Sequence, residues 1–124
     1  LRHRKPDPNC KTAEALKLTM PASVFSRSTE CHNQDKVSMG TIAARDCLRV
    51  LELTEQVAAA LVLATTQAAE LRFRGETPML TPACAGFVGA VRAHSEFLDE
   101  DRPLEGDLRR TTELIRERHW NFDD

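Results

Sequence analysis

The longest stretch of this chain without glycine or proline runs from Thr41 to Arg74, and it strongly limits what the chain can fold into. Strong helix formers fill the stretch, and its large apolar residues recur at spacings near three and four, which is typical of an α-helix. These residues are Ile42, Leu48, Leu51, Leu53, Val57, Leu61 and Leu71. Gly75 and then Pro78 end the pattern. The sequence therefore predicts one central helix of about 34 residues.

A helix of that length is long for the size of the chain. At 1.5 Å per residue it would measure about 50 Å, whereas a compact protein of 124 residues is about 35 Å across. Residues 57–69 are apolar or small around most of the helix circumference, and a helix that is apolar all round is a buried one. We therefore expect extensive contacts with other polypeptide, and a chain that is part of a longer protein.

Two shorter helices are predicted after the long one. Thr81 as N-cap begins a helix over Pro82–Leu98, because proline is favoured at the first helical position. Another helix begins at Pro103 or Asp107 and ends near His119. No segment shows the alternating polarity of a strand. The predicted fold class is all-α, a segment of a bundle of long helices.

The composition divides the chain into three parts. Residues 1–20 are predicted to form a flexible basic strap followed by a short helix over Thr12–Leu18. Residues 21–40 form a loop that is dense in hydrogen-bonding side chains. Residues 41–124 form the helical bundle and oligomerisation segment.

Charge and cysteine usage argue against several classes of protein. The net charge of −2 and the pI near 6.1 predict no nucleic-acid partner. The longest uncharged stretch, 56–69, is too short to cross a membrane, so no membrane span is predicted. The cysteines have no Cys-x-x-Cys spacing, and we expect free thiols in a reducing cytoplasm, although their even number leaves disulfides open. They are Cys10, Cys31, Cys47 and Cys84.

The stretch SRSTECHNQDKVSMG, residues 26–40, carries the candidate chemistry. Glu30 and Asn33 are three positions apart, so with Gln34 they could present a carboxylate and two amides to a polar ligand. Glu30 is also a candidate proton acceptor. The alternative is that these residues only cap the following helix and satisfy the loop backbone. His32 beside Cys31 suggests a metal ligand, but no partner lies at ligand spacing, and no metal is predicted.

Residues 17–71 resemble the aromatic amino acid ammonia-lyases and aminomutases, relatives of histidine and phenylalanine ammonia-lyase. The resemblance lies in Pro21-Ala22-Ser23, His32-Asn33-Gln34-Asp35, Val37-Ser38-Met39-Gly40 and Ala43-Ala44-Arg45. Beyond Gly75 the resemblance is looser, although Leu98–Leu104 is similar to the start of the last helix of the family.

The resemblance implies the ammonia-lyase (L-aspartase-like) fold and a homotetramer built around long helices, with active sites completed by several subunits. In such enzymes an internal Ala-Ser-Gly cyclises into 4-methylideneimidazole-5-one (MIO), the electrophile that captures the substrate amine, and a tyrosine removes the β-proton. This chain has no tyrosine and no Ser-Gly. The resemblance therefore implies a C-terminal segment whose electrophile and base come from the missing N-terminal part.

The same resemblance assigns roles to individual residues. Asn33 and Gln34 match a pair near the substrate and the MIO group, and Glu30 matches a glutamate near the substrate amine. Histidine ammonia-lyases have Gln-Glu in place of Asn-Gln, so a substrate of the tyrosine or phenylalanine type is expected. Asp35 and Ser38 match positions that hold the loop and start the long helix.

These implications lead to two functional hypotheses. The first is a segment of an enzyme that eliminates or shifts the α-amino group of an aromatic amino acid, as an ammonia-lyase or an intramolecular aminomutase. Its partners would be the remainder of its own polypeptide, the subunits of the homotetramer and the amino acid substrate. The alternative is a helical oligomerisation or interaction module that is derived from that family and has lost catalysis.

Overall fold

The computed structural model describes residues 8–28, 31, 37–73 and 80–117 of the chain. Within these ranges the secondary structure is helical, and no strand occurs in them. The elements are α1 (Pro8–Leu18), a short 3₁₀ helix (Ala22–Phe25), α2 (Gly40–Arg72), α3 (Pro82–Arg92) and α4 (Glu105–Arg116). The predicted all-α class with one long helix is confirmed, because α2 has 33 residues.

Helix α1 begins earlier than the sequence pattern predicts. It starts at Pro8, four positions before Thr12, and runs for 11 residues to Leu18. Proline suits the first turn of a helix, because its fixed φ is helical and the N–H that it lacks would have no partner there. Part of the predicted strap is therefore helical, and residues 1–7 lie outside the described residues.

Helix α2 begins where the polar loop ends. The amide of Ala43 donates to the carbonyl of Met39 at 2.9 Å, which is the first turn of the helix. The hydroxyl of Ser38 accepts a hydrogen bond from the amide of Gly40 at 3.3 Å, so one of the amides that the helix leaves unpaired has a partner. Ser38 therefore helps to start α2.

Helix α3 has the predicted start but an earlier end. The Thr81 hydroxyl accepts from the amide of Cys84 at 3.3 Å, as expected of an N-cap followed by proline. The helix ends at Arg92, six positions before Leu98. The reason is tertiary: the Arg92 side chain binds the carbonyls of Ser95 and Glu96, so these groups are satisfied without further helical turns.

The chain divides into two compact units, and α2 contributes residues to both. In the unit Asn9–Thr54, Leu53 is buried. Arg49 pairs there with Glu14 at 2.9 Å and with Glu52 at 3.1 Å, and these hydrogen bonds raise its pKa. In the unit Glu55–Asp124 with Leu1–Pro8, the buried apolar side chains are Ala59, Leu63, Val91 and Leu114.

The rest of the chain buries only part of the surface of α2. Ala59, Leu63 and Thr66 are buried, and their spacing of four and three places them on one side of the helix. Several large apolar residues elsewhere on α2 are exposed, Leu61 by 62%. The others are Ile42, Leu48, Leu51 and Leu71. A helix whose middle is apolar around its circumference thus has one covered side within this chain.

Two further observations concern the cysteines and the possibility of a membrane-spanning helix. All four cysteines are free and exposed. Among the described helices, none has the length and apolar character needed to cross a membrane.

Candidate functional site

The three predicted site residues Glu30, Asn33 and Gln34 lie outside the described residues. Their assignment therefore remains a prediction. The structure does describe the chain on either side of them, up to Ser28 and from Val37 onward, and it describes Cys31 between them.

The upstream flank is a hydrogen-bonded turn. The 3₁₀ helix Ala22–Phe25 follows Pro21, and the amide of Val24 donates to the Pro21 carbonyl at 3.2 Å. Ser26 ends this helix in an extended conformation, with φ −62° and ψ 143°. Its amide donates back to the carbonyl of Ser23 at 3.1 Å. The chain therefore enters the loop from a hydrogen-bonded turn.

Ser26 joins the two flanks. Its side chain is buried, with 3% of the residue exposed, and its hydroxyl donates to the carbonyl of Val37 at 2.8 Å. Its own carbonyl accepts from Nη1 of Arg27 at 3.1 Å. The Ser26 hydroxyl to Val37 carbonyl bond, called here the loop clasp, connects the end of the 3₁₀ helix to the residue just before Ser38.

Cys31 has an unusual backbone conformation. Its φ of 54° lies in the left-handed region, which a residue with a Cβ atom enters at a cost of about 1–2 kcal/mol. The thiol is free and exposed. Cys31 itself lies in a turn.

A second polar cluster lies in the unit Glu55–Asp124 and is centred on Arg92. Its guanidinium binds the carboxylate of Glu70 through Nε at 2.7 Å and through Nη2, which also donates to Oε1 of Gln67 at 2.8 Å. Nη1 donates to the carbonyls of Ser95 and Glu96 at 3.1 and 3.2 Å. All five N–H donors of Arg92 therefore have partners, which is the full capacity of a guanidinium.

Gln67 extends this cluster, which we call the arginine network. Its Nε2 donates to the carbonyl of Leu98 at 3.1 Å, and its Oε1 accepts from the amide of Leu98 at 3.2 Å. The guanidinium of Arg92 lies 5.6 Å from the ring centre of Phe97, within cation–π range. The network fixes the backbone that follows α3.

Asp107 anchors the same connection from α4. Its Oδ2 accepts from the buried Ser95 hydroxyl at 2.7 Å and from Nη2 of Arg102 at 2.7 Å. Burial acts to raise the pKa of Asp107, but the hydrogen bonds from Arg102 and Ser95 outweigh it, so the pKa lies below its ordinary value. Asp107 is therefore a structural carboxylate that stays ionised.

A cavity of about 730 Å³ lies beside the arginine network in this unit. Leucines and alanines form most of its wall. Its polar lining residues Gln67, Arg92, Ser95, Asp101 and Arg102 all take part in interactions within the protein. The apolar wall comprises Ala60, Leu63, Ala64, Ala68, Leu71, Leu98, Pro103, Leu104 and Leu108. This lining suits the packing of an apolar segment better than the binding of a charged amino acid.

Comparison with known proteins decides the family. The family model described as aromatic amino acid lyase matches residues 10–93, which include most of α1, the loop, α2 and α3. The chain belongs to the aromatic amino acid lyase family. The resemblance seen in the loop motifs is thereby confirmed.

Individual relatives agree with the family model. A tyrosine ammonia-lyase from Cereibacter sphaeroides is 43% identical over 89 residues, covering 72% of this chain and 17% of the relative. One from Cupriavidus metallidurans is 38% identical over 85% of this chain and 19% of its own length. A histidine ammonia-lyase from Natranaerobius thermophilus is 37% identical over 83% of this chain. The chain thus spans about a fifth of the length of these relatives.

Solved structures show the same fold. The tyrosine aminomutase of Streptomyces globisporus matches with a TM-score of 0.77 and 32% identity over 91% of this chain and 21% of that chain. The histidine ammonia-lyase of Trypanosoma cruzi matches with a TM-score of 0.71 and 30% identity over 87% of this chain. The predicted all-α class with the ammonia-lyase fold is confirmed.

Sequence reasoning missed two arrangements that the structure shows. Ser26 was one polar residue among many in the loop, and no local pattern distinguishes a serine whose partner is 11 positions away. The arginine network joins residues 22 and 25 positions apart, so helical periodicity does not reveal it. The only available sequence signal was the polar Gln67 among the alanines of α2.

Proposed function

We propose that this chain is the C-terminal segment of an enzyme that eliminates or shifts the α-amino group of an aromatic amino acid. The observation that carries the proposal is the 43% identity to a tyrosine ammonia-lyase over 72% of the chain. The Asn33-Gln34 pair, where histidine ammonia-lyases have Gln-Glu, supports a substrate of the tyrosine or phenylalanine type. Both a lyase and an aminomutase are compatible with the family.

The chemistry of the loop residues suits this reaction. The carboxylate of Glu30 would accept hydrogen bonds from the ammonium group of the substrate and hold it in place. The side-chain amides of Asn33 and Gln34 each offer donors and an acceptor, so they would orient the substrate carboxylate and the prosthetic group. These residues are proposed to bind and orient the substrate, and the proton acceptor for the β-carbon would come from elsewhere in the enzyme.

The proposed prosthetic group is MIO, formed from an Ala-Ser-Gly that this chain does not contain. The group would supply an electrophile for the substrate amine. The donor set of the loop fits it, because the amide hydrogens of Asn33 and Gln34 can bind the oxygen atom of an imidazolone. We propose that these two residues form the wall that this segment contributes to the MIO site.

The proposed partners are the rest of the same polypeptide and the other subunits of a homotetramer. Support comes from α2, where Leu48, Leu51 and Leu61 are 63%, 54% and 62% exposed within this chain. Large apolar side chains at this density on a long helix are typical of an interface between chains. The free cysteines support a cytoplasmic location, since disulfides are rare in reducing compartments.

The test uses the full-length protein that contains this segment. Purified enzyme is incubated with tyrosine, phenylalanine and histidine, arylacrylate formation is followed by absorbance, and β-amino acids are separated by chromatography. We expect Glu30→Ala and Asn33→Ala to lower kcat/KM about ten- to a hundredfold, the loss of one hydrogen bond to a charged group. Glu105→Ala, which removes an exposed carboxylate on α4, is the matched control. Unchanged turnover in both loop variants contradicts the site assignment.

The alternative proposal is a helical oligomerisation module without catalysis. The same exposed leucines of α2 favour it, because they need a partner whether or not a reaction occurs. Intact-mass measurement and a denaturing gel of the natural particle distinguish the two. The enzyme requires polypeptide that carries Ala-Ser-Gly, whereas a complete particle made of the 124 residues alone excludes the enzyme and supports the module.

A further inference from the structure

We propose that Ser26 is a positioning residue for the active-site loop, acting through its hydrogen bond to the Val37 carbonyl. Glu30, Asn33 and Gln34 all lie in the ten positions between Ser26 and Val37. The inference rests on the proposed function, because it assigns Ser26 a part in placing those three side chains against the substrate.

The hydroxyl of Ser26 is used differently from those of several threonines among the described residues. Thr19, Thr54 and Thr112 donate to carbonyls three or four positions earlier, which satisfies the hydroxyl without connecting distant segments. Ser26 instead donates to a carbonyl 11 positions later at 2.8 Å. A hydrogen bond of this kind links two points of the backbone, so it restricts the chain between them.

Both ends of the clasp are fixed. Ser26 ends the 3₁₀ helix, and its amide is bound to the Ser23 carbonyl at 3.1 Å. Val37 directly precedes Ser38, whose hydroxyl accepts from Gly40 at the start of α2. The clasp therefore ties the loop to two hydrogen-bonded helix ends, and the entropy lost in closing the loop is already lost before the substrate arrives.

Burial makes the clasp sensitive to substitution. Ser26 is only 3% exposed, so water cannot readily replace its hydroxyl when the residue is changed to alanine. The Val37 carbonyl then loses the donor that Ser26 provides. We expect Ser26→Ala to raise the local opening of the loop about five- to tenfold, the usual effect of one lost internal hydrogen bond.

The test compares Ser26→Ala with Thr112→Val in the full-length enzyme. Thr112 is a matched control, because its buried hydroxyl also donates to a backbone carbonyl, that of Leu108 at 2.7 Å, but within α4. Hydrogen exchange of peptides over residues 27–37, followed by mass spectrometry, measures loop opening. Steady-state kinetics with the best aromatic substrate gives kcat and KM separately.

We expect Ser26→Ala to speed exchange in the 27–37 peptides about five- to tenfold and to lower kcat/KM at least tenfold. Thr112→Val should change neither quantity, although both variants lower the melting temperature. Ser26→Cys, which keeps the volume and has a weaker donor, should fall between Ser26→Ala and the wild type and serves if Ser26→Ala does not fold.

Two results would overturn the inference. One is exchange and kcat/KM in Ser26→Ala, or in Ser26→Cys if only that variant folds, equal to those of Thr112→Val. The other is faster exchange with kcat/KM unchanged, which would make the clasp structural only. Failure of the proposed function has a different signature, since the wild-type enzyme itself would then convert no aromatic amino acid.

Discussion

Replacing Arg92 by methionine should loosen the connection between α3 and α4 far more than the same change elsewhere. Methionine keeps much of the length of the side chain but removes all five donors of the arginine network. The Glu70 carboxylate, Gln67 and the carbonyls of Ser95 and Glu96 then lose the hydrogen bonds that Arg92 donates. The perturbation therefore isolates the contribution of one guanidinium.

The structure sets the size of the effect. The Arg92 and Glu70 side chains are 16% and 32% exposed, so their ion pair is partly screened by solvent. Its two bonds to the Glu70 carboxylate together contribute about 2 kcal/mol after that discount, and the three bonds to neutral acceptors about 1 kcal/mol more once the freed groups are partly rehydrated. A loss of about 3 kcal/mol corresponds to about a hundredfold increase in local opening.

Hydrogen exchange of peptides over residues 93–104 in the full-length protein measures this opening. The amide of Leu98, bound to Oε1 of Gln67 at 3.2 Å, lies within these peptides and reports on the network directly. Arg109→Met is the control, because Arg109 pairs with Glu105 on the surface of α4 with both side chains more than 70% exposed. Such a pair contributes at most about 0.5 kcal/mol, a two- to threefold effect. Equal exchange in the two variants would refute the reasoning.

Two further predictions concern α3 and α4. Thr81→Ala removes the N-cap of α3 and should lower the free energy of unfolding by about 1 kcal/mol, whereas Thr81→Ser should not, as measured by urea denaturation. The pKa of Asp107 is lowered in the folded chain, so its stabilising effect is complete above the ordinary carboxyl pKa of about 4 and is lost as the pH falls through the lower folded value. Urea denaturation between about pH 5 and about pH 2.5, from about one unit above the ordinary carboxyl pKa to about one and a half units below it, should therefore show a shallower fall in stability for Asp107→Asn than for the wild type. Parallel curves would contradict the role of Asp107.

The parts of the fold that follow from local rules could be predicted from the sequence. The absence of glycine and proline after Gly40 predicts α2, and Thr81 before Pro82 predicts the start of α3, because these signals act within one or two helical turns. The family motif in the loop also lies within a short stretch, and the family it indicates is confirmed.

The parts that depend on distant partners could not be predicted. The sequence predicts that α3 continues past Arg92, yet the helix ends there, and the backbone that follows is bound by the side chains of Arg92 and Gln67. The loop clasp is similar, since nothing local selects the Val37 carbonyl as the partner of Ser26. The roles of Glu30, Asn33 and Gln34 remain predictions, because these three residues lie outside the described residues.

The pairing of Gln67 with Leu98 restricts which side chain position 67 can carry. One backbone residue presents a donor and an acceptor side by side, and the primary amide of glutamine presents the complementary acceptor and donor at matching separation. A glutamate at this position would lack a hydrogen for the Leu98 carbonyl, a lysine would lack an acceptor for the Leu98 amide, and an asparagine would be one methylene too short. Although alanines surround position 67 on α2, glutamine is the side chain whose length and amide group match the backbone of Leu98.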